Sequence, residues 1–525
     1  MRFAILANPF PAMEEEFFMS LINISHLTFS YEGSYENIFN DVSFQIDTDW
    51  KLGFCGRNGR GKTTFLNLLM KKHEYNGKIS TNTTFEYFPF PINYFSIDGT
   101  AKTTLDILSE IEPNALIWQM QKDLSLLDLD EKILSRHFST LSNGEQTKVL
   151  LAGLFLRENS FLLIDEPTNH LDMNARQIVA KYLKSKSGFI LVSHDRTFLD
   201  ECTDHTLSIN KNNIEVINGN FSTWQEQKKR RDSFEQAQNE RLAREVDRLK
   251  ESSARTANWS DKVEKSKNQQ LKSGLSADKG YIGHKAAKMM KRSKTIEKRK
   301  QDVINEKSTL IKNIEVAETL KIHPLDYHSS RLLSLENAAI SYDGRKIFHN
   351  INLMLEQGDR MAILGGNGSG KSSILKLLCG NDIPYQGNVH IGSNLIISYV
   401  PQDASFLSGN LNEYADEQQI DETLFKTILR KLDFSRMQFE KNMQNYSAGQ
   451  KKKVLLAASL CKRAHVYIWD EPLNYIDILS RMQIEELILS FKPTLIFVEH
   501  DKKFCDNIAT KTINLKNQND LHSIF

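Results

Sequence analysis

The stretch GRNGRGKTT, Gly56 to Thr64, recurs as GGNGSGKSS, Gly365 to Ser373. Each copy follows an apolar run, KLGFC or RMAIL, and leads into KTTFLNLLM or KSSILKLLC. A strand, a glycine loop of the form GxxxxGK[ST] and a helix make a phosphate-binding loop. Glycine is needed because side chains would keep the backbone N–H groups from wrapping phosphates. Gly56, Asn58, Gly59 and Gly61, with Gly365, Asn367, Gly368 and Gly370, therefore shape two ATP-binding loops. Lys62 and Lys371 would reach the β- and γ-phosphates. Thr63 and Ser372 would ligate Mg²⁺, with Thr64 and Ser373 beside them. One match could be an ordinary glycine-rich turn; two aligned matches argue against that.

Three further motifs repeat in the same order. LSNGEQTKVLLAGL (from Leu141) returns as YSAGQKKKVLLAAS (from Tyr446), FLLIDEPTNHLD (from Phe161) as VYIWDEPLNYID (from Val466), and LVSHDRTFLD (from Leu191) as FVEHDKKFCD (from Phe497). The copies lie 305 to 309 residues apart, which is a duplicated domain. The boundaries read as residues 19–220 and 331–525, two α/β ATPase domains joined by a linker over 221–330. FLLID and VYIWD read as strands buried on both faces that end in a carboxylate. Asp165 and Asp470 would hold Mg²⁺. Glu166 and Glu471 are placed to orient or deprotonate water. His194 and His500 each close a further apolar strand. A lone histidine is more often structural, but its recurrence beside the carboxylates favours a γ-phosphate contact.

Bulk properties bound the rest. The 525 residues are 40% hydrophobic and 25% charged, with a formal net charge of +1. No apolar run approaches the ~18 residues a membrane crossing needs, so the chain could serve a transporter only as a separate ATPase subunit. Five cysteines without CxxC pairing suggest neither a disulfide framework nor a zinc site, and fit a reducing cytoplasm. Residues 1–18 lack a signal-peptide core. Met19 opens a segment matching the start of the second copy, so residues 1–18 read as a disordered tail or a start-site artefact.

The linker differs in character. Met289, Ile296, Val303, Leu310 and Ala317 recur every seventh residue, and Phe234, Leu242, Val246 and Leu249 form a looser stripe. Such spacing marks helices packed along a seam. Glycines in KSGLSADKGYIG, Lys272 to Gly283, break the pattern. The expected form is an antiparallel helical hairpin with its tip near 270–285. Arms of 40–50 residues would span roughly 60–75 Å. Between Gln225 and Lys321 there are 25 Lys/Arg against 15 Asp/Glu; from Lys262 to Lys300 the counts are 13 and 3. A merely solvated helix mixes both signs, as the proximal half does. A concentrated basic tip is the footprint of a phosphate-rich partner, and the hairpin is read as an RNA grip. Lys272, Lys279, Lys285, Lys288, Lys291, Arg292 and Lys294 would neutralise phosphates. Tyr281 and His284, with Trp259, could stack on bases or pack within the hairpin.

The order of phosphate loop, LSNGE, D-E-P strand and S-H-D resembles the ATP-binding-cassette ATPases. That resemblance implies composite sites, in which the signature loop of one domain closes over the nucleotide of the other. Lys62 would face Ser447, Gly449 and Gln450, and Lys371 would face Ser142, Gly144 and Glu145. It implies that Tyr31 and Tyr342 stack on adenine and that Gln402 contacts Mg²⁺. Phe90 stands where the first domain should carry that glutamine, and Asn143 replaces a signature glycine, so equal hydrolysis at the two sites is in doubt. Two cassettes, no membrane segment and a basic helical linker resemble the ABC-F class over nearly the whole chain. WKLGFCGRNGRGKTT, GNFSTWQEQKKRRDSFEQAQNE, KAAKMMKRSK and YIWDEPLNYID resemble its Lsa-type resistance group. The resemblance implies a monomer with paired cassettes that binds the ribosome near the tRNA exit site, touching 23S rRNA and P-site tRNA. It implies displacement of lincosamides, pleuromutilins and streptogramin A. A housekeeping translation factor, a DNA-repair or architectural ATPase and an exporter subunit are the alternatives.

Overall fold

A computed structural model describes residues 21–515, apart from 33–36, 97–98, 158, 170, 210–212, 343–344 and most of 266–319. Two compact units emerge: residues 1–222 with 317–525, and residues 223–316. The first unit contains both cassettes.

Each cassette is built on a mainly parallel sheet. In the first, the order is Thr84–Phe88, Ser160–Asp165, Phe189–Val192, Lys51–Cys55, His205–Ile209 and Ile214–Asn218, with only the last strand antiparallel to its neighbour. In the second it is Ile397–Val400, Val466–Asp470, Leu495–Val498, Arg360–Gly365 and Lys511–Leu515, all parallel. Parallel strands covered on both faces must be apolar throughout. Phe161, Leu162, Leu163 and Ile164 are at most 1% exposed, as are Val466 through Trp469. The Trp469 indole N–H, which burial would otherwise leave unpaired, donates to Ser459 Oγ at 3.0 Å. A three-stranded antiparallel sheet accompanies each: Phe39–Asp47, Leu21–Phe29 and Asn76–Ser80, and Arg345–Glu356, Arg331–Tyr342 and Tyr385–Ile391.

The phosphate-loop helices, Lys62–Leu69 and Lys371–Leu378, pack Phe65, Leu66 and Leu69, or Ile374, Leu375 and Leu378, into these cores. Each such side chain contributes about 1.5–3 kcal/mol on burial. The carboxyl ends of the parallel strands, where nucleotide sites form in open α/β sheets, thereby face the helix N-termini.

Residues 317–330 are assigned to the linker by the sequence reading. Leu320 and Ile322 instead pack in the second cassette's core, and Leu325 N–H donates to the Ala464 carbonyl. In the other unit, the helix Phe221–Lys265 carries an exposed Phe234 and a buried Val246. Among the heptad positions, Met289, Ile296, Val303 and Leu310 lie outside the described residues, as do Ala317 and the tip residues Lys272, Lys279, Tyr281, His284, Lys285 and Arg292. Lys288, Lys291 and Lys294 are exposed helical positions. No described helix is long and apolar enough to cross a membrane.

Candidate functional site

The glycine just before each lysine has left-handed backbone, Gly61 at φ 96° and Gly370 at φ 90°. At Gly61 a Cβ would also lie 2.5 Å from Ile38 Cγ2, so the loop can turn there only with glycine. Lys62 Nζ donates to the carbonyls of Gly56 at 2.8 Å and Arg57 at 3.2 Å, and lies 3.3 Å from Asn58 Oδ1. Lys371 Nζ donates to those of Gly365 at 3.0 Å and Gly366 at 2.9 Å. Each ammonium is thus satisfied by its own loop. Burial pushes both below the ordinary lysine value, against nearby carboxylates.

A cavity of about 780 Å³ unites the two cassettes around Lys371. Asn367, Gly368, Gly370, Ser372, Ser373, Gln402, Glu471 and His500 line it from one side, and Ser142, Gly144 and Glu145 from the other. The second cassette's expected residues and the first cassette's signature therefore meet in space. At the other edge Asn58 Nδ2 donates to the Tyr475 carbonyl at 2.9 Å, and a Cβ on Gly449 would lie 3.5 Å from Asn58 Nδ2. Lys62 thus shares its edge with the second signature.

Both signature serines are helix N-caps. Ser142 Oγ accepts from Glu145 N at 3.3 Å, and Ser447 Oγ from Gln450 N at 3.3 Å. Glu145 and Gln450 return the contact to their serine's backbone N–H. The caps fix helix ends whose partial positive charge suits phosphate.

Among the described residues no three His, Cys, Asp or Glu side chains gather as a metal site, but a hydroxyl and a carboxylate expected to hold Mg²⁺ do meet. Thr63 Oγ1 donates to Asp165 Oδ2 at 3.2 Å, and the Tyr87 hydroxyl donates to the same oxygen at 3.0 Å. Asp470 is 1% exposed, and its Oδ1 is buried without a hydrogen-bond partner among the described residues. Burial raises both aspartates above the ordinary carboxylate value. An orphaned buried carboxylate oxygen beside a hydroxyl fits a hard divalent cation.

The two glutamates share an unusual backbone and a neighbouring histidine, and differ in the amides that reach their carboxyls. Glu166 has φ 53° and Glu471 φ 47°, left-handed values costly for a residue with a Cβ. Glu471 Oε2 accepts from Gln402 Nε2 at 2.9 Å and Asn474 Nδ2 at 2.6 Å, while His500 Nε2 lies 3.4 Å from Oε1. Burial opposes its charge, but His500, Gln402 and Lys371 outweigh burial and hold the carboxyl down to about 2. Phe90 occupies the position of Gln402. Glu166 Oε1 lies 3.3 Å from His194 Nε2, off the hydrogen-bonding direction, and has no hydrogen-bond partner among the described residues. Burial and the Asp165 charge push Glu166 up to about 8. Burial, Lys62 and Arg481 hold His194 below the ordinary histidine value.

Tyr31 is 44% exposed, in edge contact with Phe29 and His73, and its hydroxyl lies 2.8 Å from Thr64 Oγ1. Tyr342 ends its strand; its side chain lies outside the described ones. Asn474 escaped the sequence reading, although its recurrence as Asn169, three residues after Glu166, is a usable signal.

A family model described as ABC transporter matches residues 39–169 and 348–474. The ATP-binding protein Uup of Buchnera aphidicola subsp. Acyrthosiphon pisum (strain APS) is 29% identical over 514 residues, covering 94% of this chain and 80% of its own. The ribosome protection protein VmlR of Bacillus subtilis (strain 168) is 27% identical over 504 residues, covering 93% and 86%. ABC transporter F family member 2 of Arabidopsis thaliana is 24% identical over 547 residues, covering 94% and 76%. The fold is similar to that of the archaeal ribosome recycling factor aABCE1, solved with ribosomal stalk protein aP1, at a TM-score of 0.58 and 17% identity over 93% of this chain and 87% of that one. With two phosphate loops, two capped signatures and two D-E strand ends on one chain, this protein is an ATP hydrolase with two ATP-binding cassettes, similar along most of its length to proteins of the ABC-F family.

Proposed function

We propose that this chain is a cytoplasmic ribosome-protection ATPase. Binding of ATP closes the cassettes, and closure aims the basic linker, residues 223–316, at ribosomal RNA near the tRNA exit site. There it shifts 23S rRNA or P-site tRNA so that lincosamides, pleuromutilins or streptogramin A leave the peptidyl-transferase region. The observation that carries this reading is charge placement: Lys262 to Lys300 holds 13 Lys/Arg against 3 Asp/Glu in a chain whose net charge is +1. Similarity to a ribosome protection protein supports it.

Thr63 with Asp165, and Ser372 with Gln402 and Asp470, would hold Mg²⁺, which supplies charge neutralisation at the β- and γ-phosphates. Lys62 and Lys371 would exchange loop carbonyls for phosphate oxygens. Ser142, Gly144, Ser447 and Gly449 would close from the opposite cassette. Glu471, ionised and aligned by Gln402 and Asn474, would take the proton of the attacking water, with His500 beside it. Hydrolysis would reopen the pair and release the ribosome.

The test has two arms. A Glu166→Gln, Glu471→Gln chain should co-sediment with ribosomes in ATP; sedimentation free of them defeats the ribosomal reading. Expression in a susceptible Gram-positive host should raise inhibitory concentrations for at least one of the three drug classes. Similarity to Uup favours a second reading, a housekeeping translation factor, which keeps the first outcome and loses the second.

A further inference from the structure

Duplication gives every contact between the cassettes a counterpart to check. Cations of the first cassette reach carboxylates of the second, Arg196 from two residues beyond His194 and Arg57 and Arg60 from the Lys62 loop itself. Arg196 Nη2 lies 2.7 Å from Glu485 Oε2 and 3.9 Å from Asp501 Oδ2. Both partners are buried, Arg196 at 3% and Glu485 at 8% exposure, and Asn507 Nδ2 donates to the other Glu485 oxygen. Farther out, Arg57 Nη1 and Arg60 Nη2 lie 3.6 Å and 3.8 Å from Asp433 Oδ1.

The repeat places Lys502 and Ala180 at the positions equivalent to Arg196 and Glu485, and Gly366, Ser369 and Asp128 at those equivalent to Arg57, Arg60 and Asp433. Neither set can form the corresponding pair. Lys502 and Glu201 line a small cleft there, and among the described residues no ion pair spans the Lys371 edge. A side-chain contact that does cross it is the 3.2 Å hydrogen bond from Arg176 Nη1 to the His500 carbonyl, and the Arg176 charge is already answered by Asp195 within its own cassette.

Close, hydrogen-bonded charge pairs buried across an interface hold it together mainly by slowing dissociation. Parting the Lys371 edge breaks no such pair. We infer that Arg196 and Glu485, with Arg57, Arg60 and Asp433 outside them, are positioning residues that make the Lys62 edge a hinge. The cassettes part at the Lys371 edge, so nucleotide leaves that site first, while the Lys62 site keeps its nucleotide for longer. This holds whatever the closed pair acts on, and its test needs no ribosome.

The experiment follows release of a fluorescent ATP analogue from the full chain carrying Glu166→Gln and Glu471→Gln. Release should be biphasic, with the slow phase abolished by Lys62→Ala and the fast one by Lys371→Ala. Adding Arg196→Gln with Glu485→Gln should accelerate the slow phase about tenfold and leave the fast phase in place. Arg196→Lys, which keeps the charge, should hold the slow phase within about threefold of the parent. The hinge is overturned by single-phase release, by a slow phase that disappears with Lys371→Ala, by equal acceleration of both phases, or by Arg196→Lys matching the double variant.

Discussion

Glu166 and Glu471 arose from one duplicated position and keep one backbone conformation, yet their surroundings push the two carboxyls in opposite directions. Two amides and a histidine surround Glu471 and keep it charged. Glu166 has a phenylalanine where one amide should be, and burial and the Asp165 charge push its carboxyl up. The groups facing a buried acid, rather than its backbone, thus set how readily it takes up a proton. Copying a fold does not copy a site's chemistry when the difference lies in the groups that hydrogen-bond the acid.

The most severe challenge to this contrast is removal of each carboxylate alone. Glu471→Gln should lower phosphate release at saturating ATP by at least about 100-fold, the usual scale for losing a general base. Glu166→Gln should cost less than about threefold. Equal losses would mean that the two sites turn over alike. Exchanging the neighbours comes next. Gln402→Phe should slow turnover about tenfold. Phe90→Gln, in a Glu471→Gln background, should raise the residual rate several-fold by stabilising the ionised Glu166.

Acidity offers a finer discriminator. A base must be unprotonated to act. Glu471, held at about 2, is ionised throughout pH 5–9, so the parent rate should show no rise attributable to this group. Glu166, pushed up to about 8, becomes ionised only as pH rises, so the residual rate of Glu471→Gln should climb through that value. A flat residual profile would place Glu166 outside the reaction. The smallest effect concerns the base-stacking ring: Tyr31→Ala should weaken nucleotide affinity about three- to tenfold, and Tyr31→Phe, which loses only the Thr64 contact, less than twofold.

Much of this was legible in the residues because each motif is local. GRNGRGKTT specifies its own strand, turn and helix, and FLLID announces a strand covered on both faces. Phe90 against Gln402 was visible by aligning the two copies. What stayed hidden is tertiary. Asn474 reaches Glu471 only because the backbone turns between them. Arg196 meets Glu485 across 289 positions of chain, at sites where the repeats differ, so no internal alignment pairs them. Leu320 and Ile322 look like a continuing helical linker, and only the core of the second cassette reveals where they belong.

The left-handed backbone at Glu166 and Glu471 carries one more consequence. A glycine there would relax the chain and, at Glu166, would also remove a buried carboxyl oxygen that has no hydrogen-bond partner among the described residues. At Glu471 it would strand Gln402 and Asn474, so selection for heat resistance alone should take glycine at the first position and keep the acid at the second.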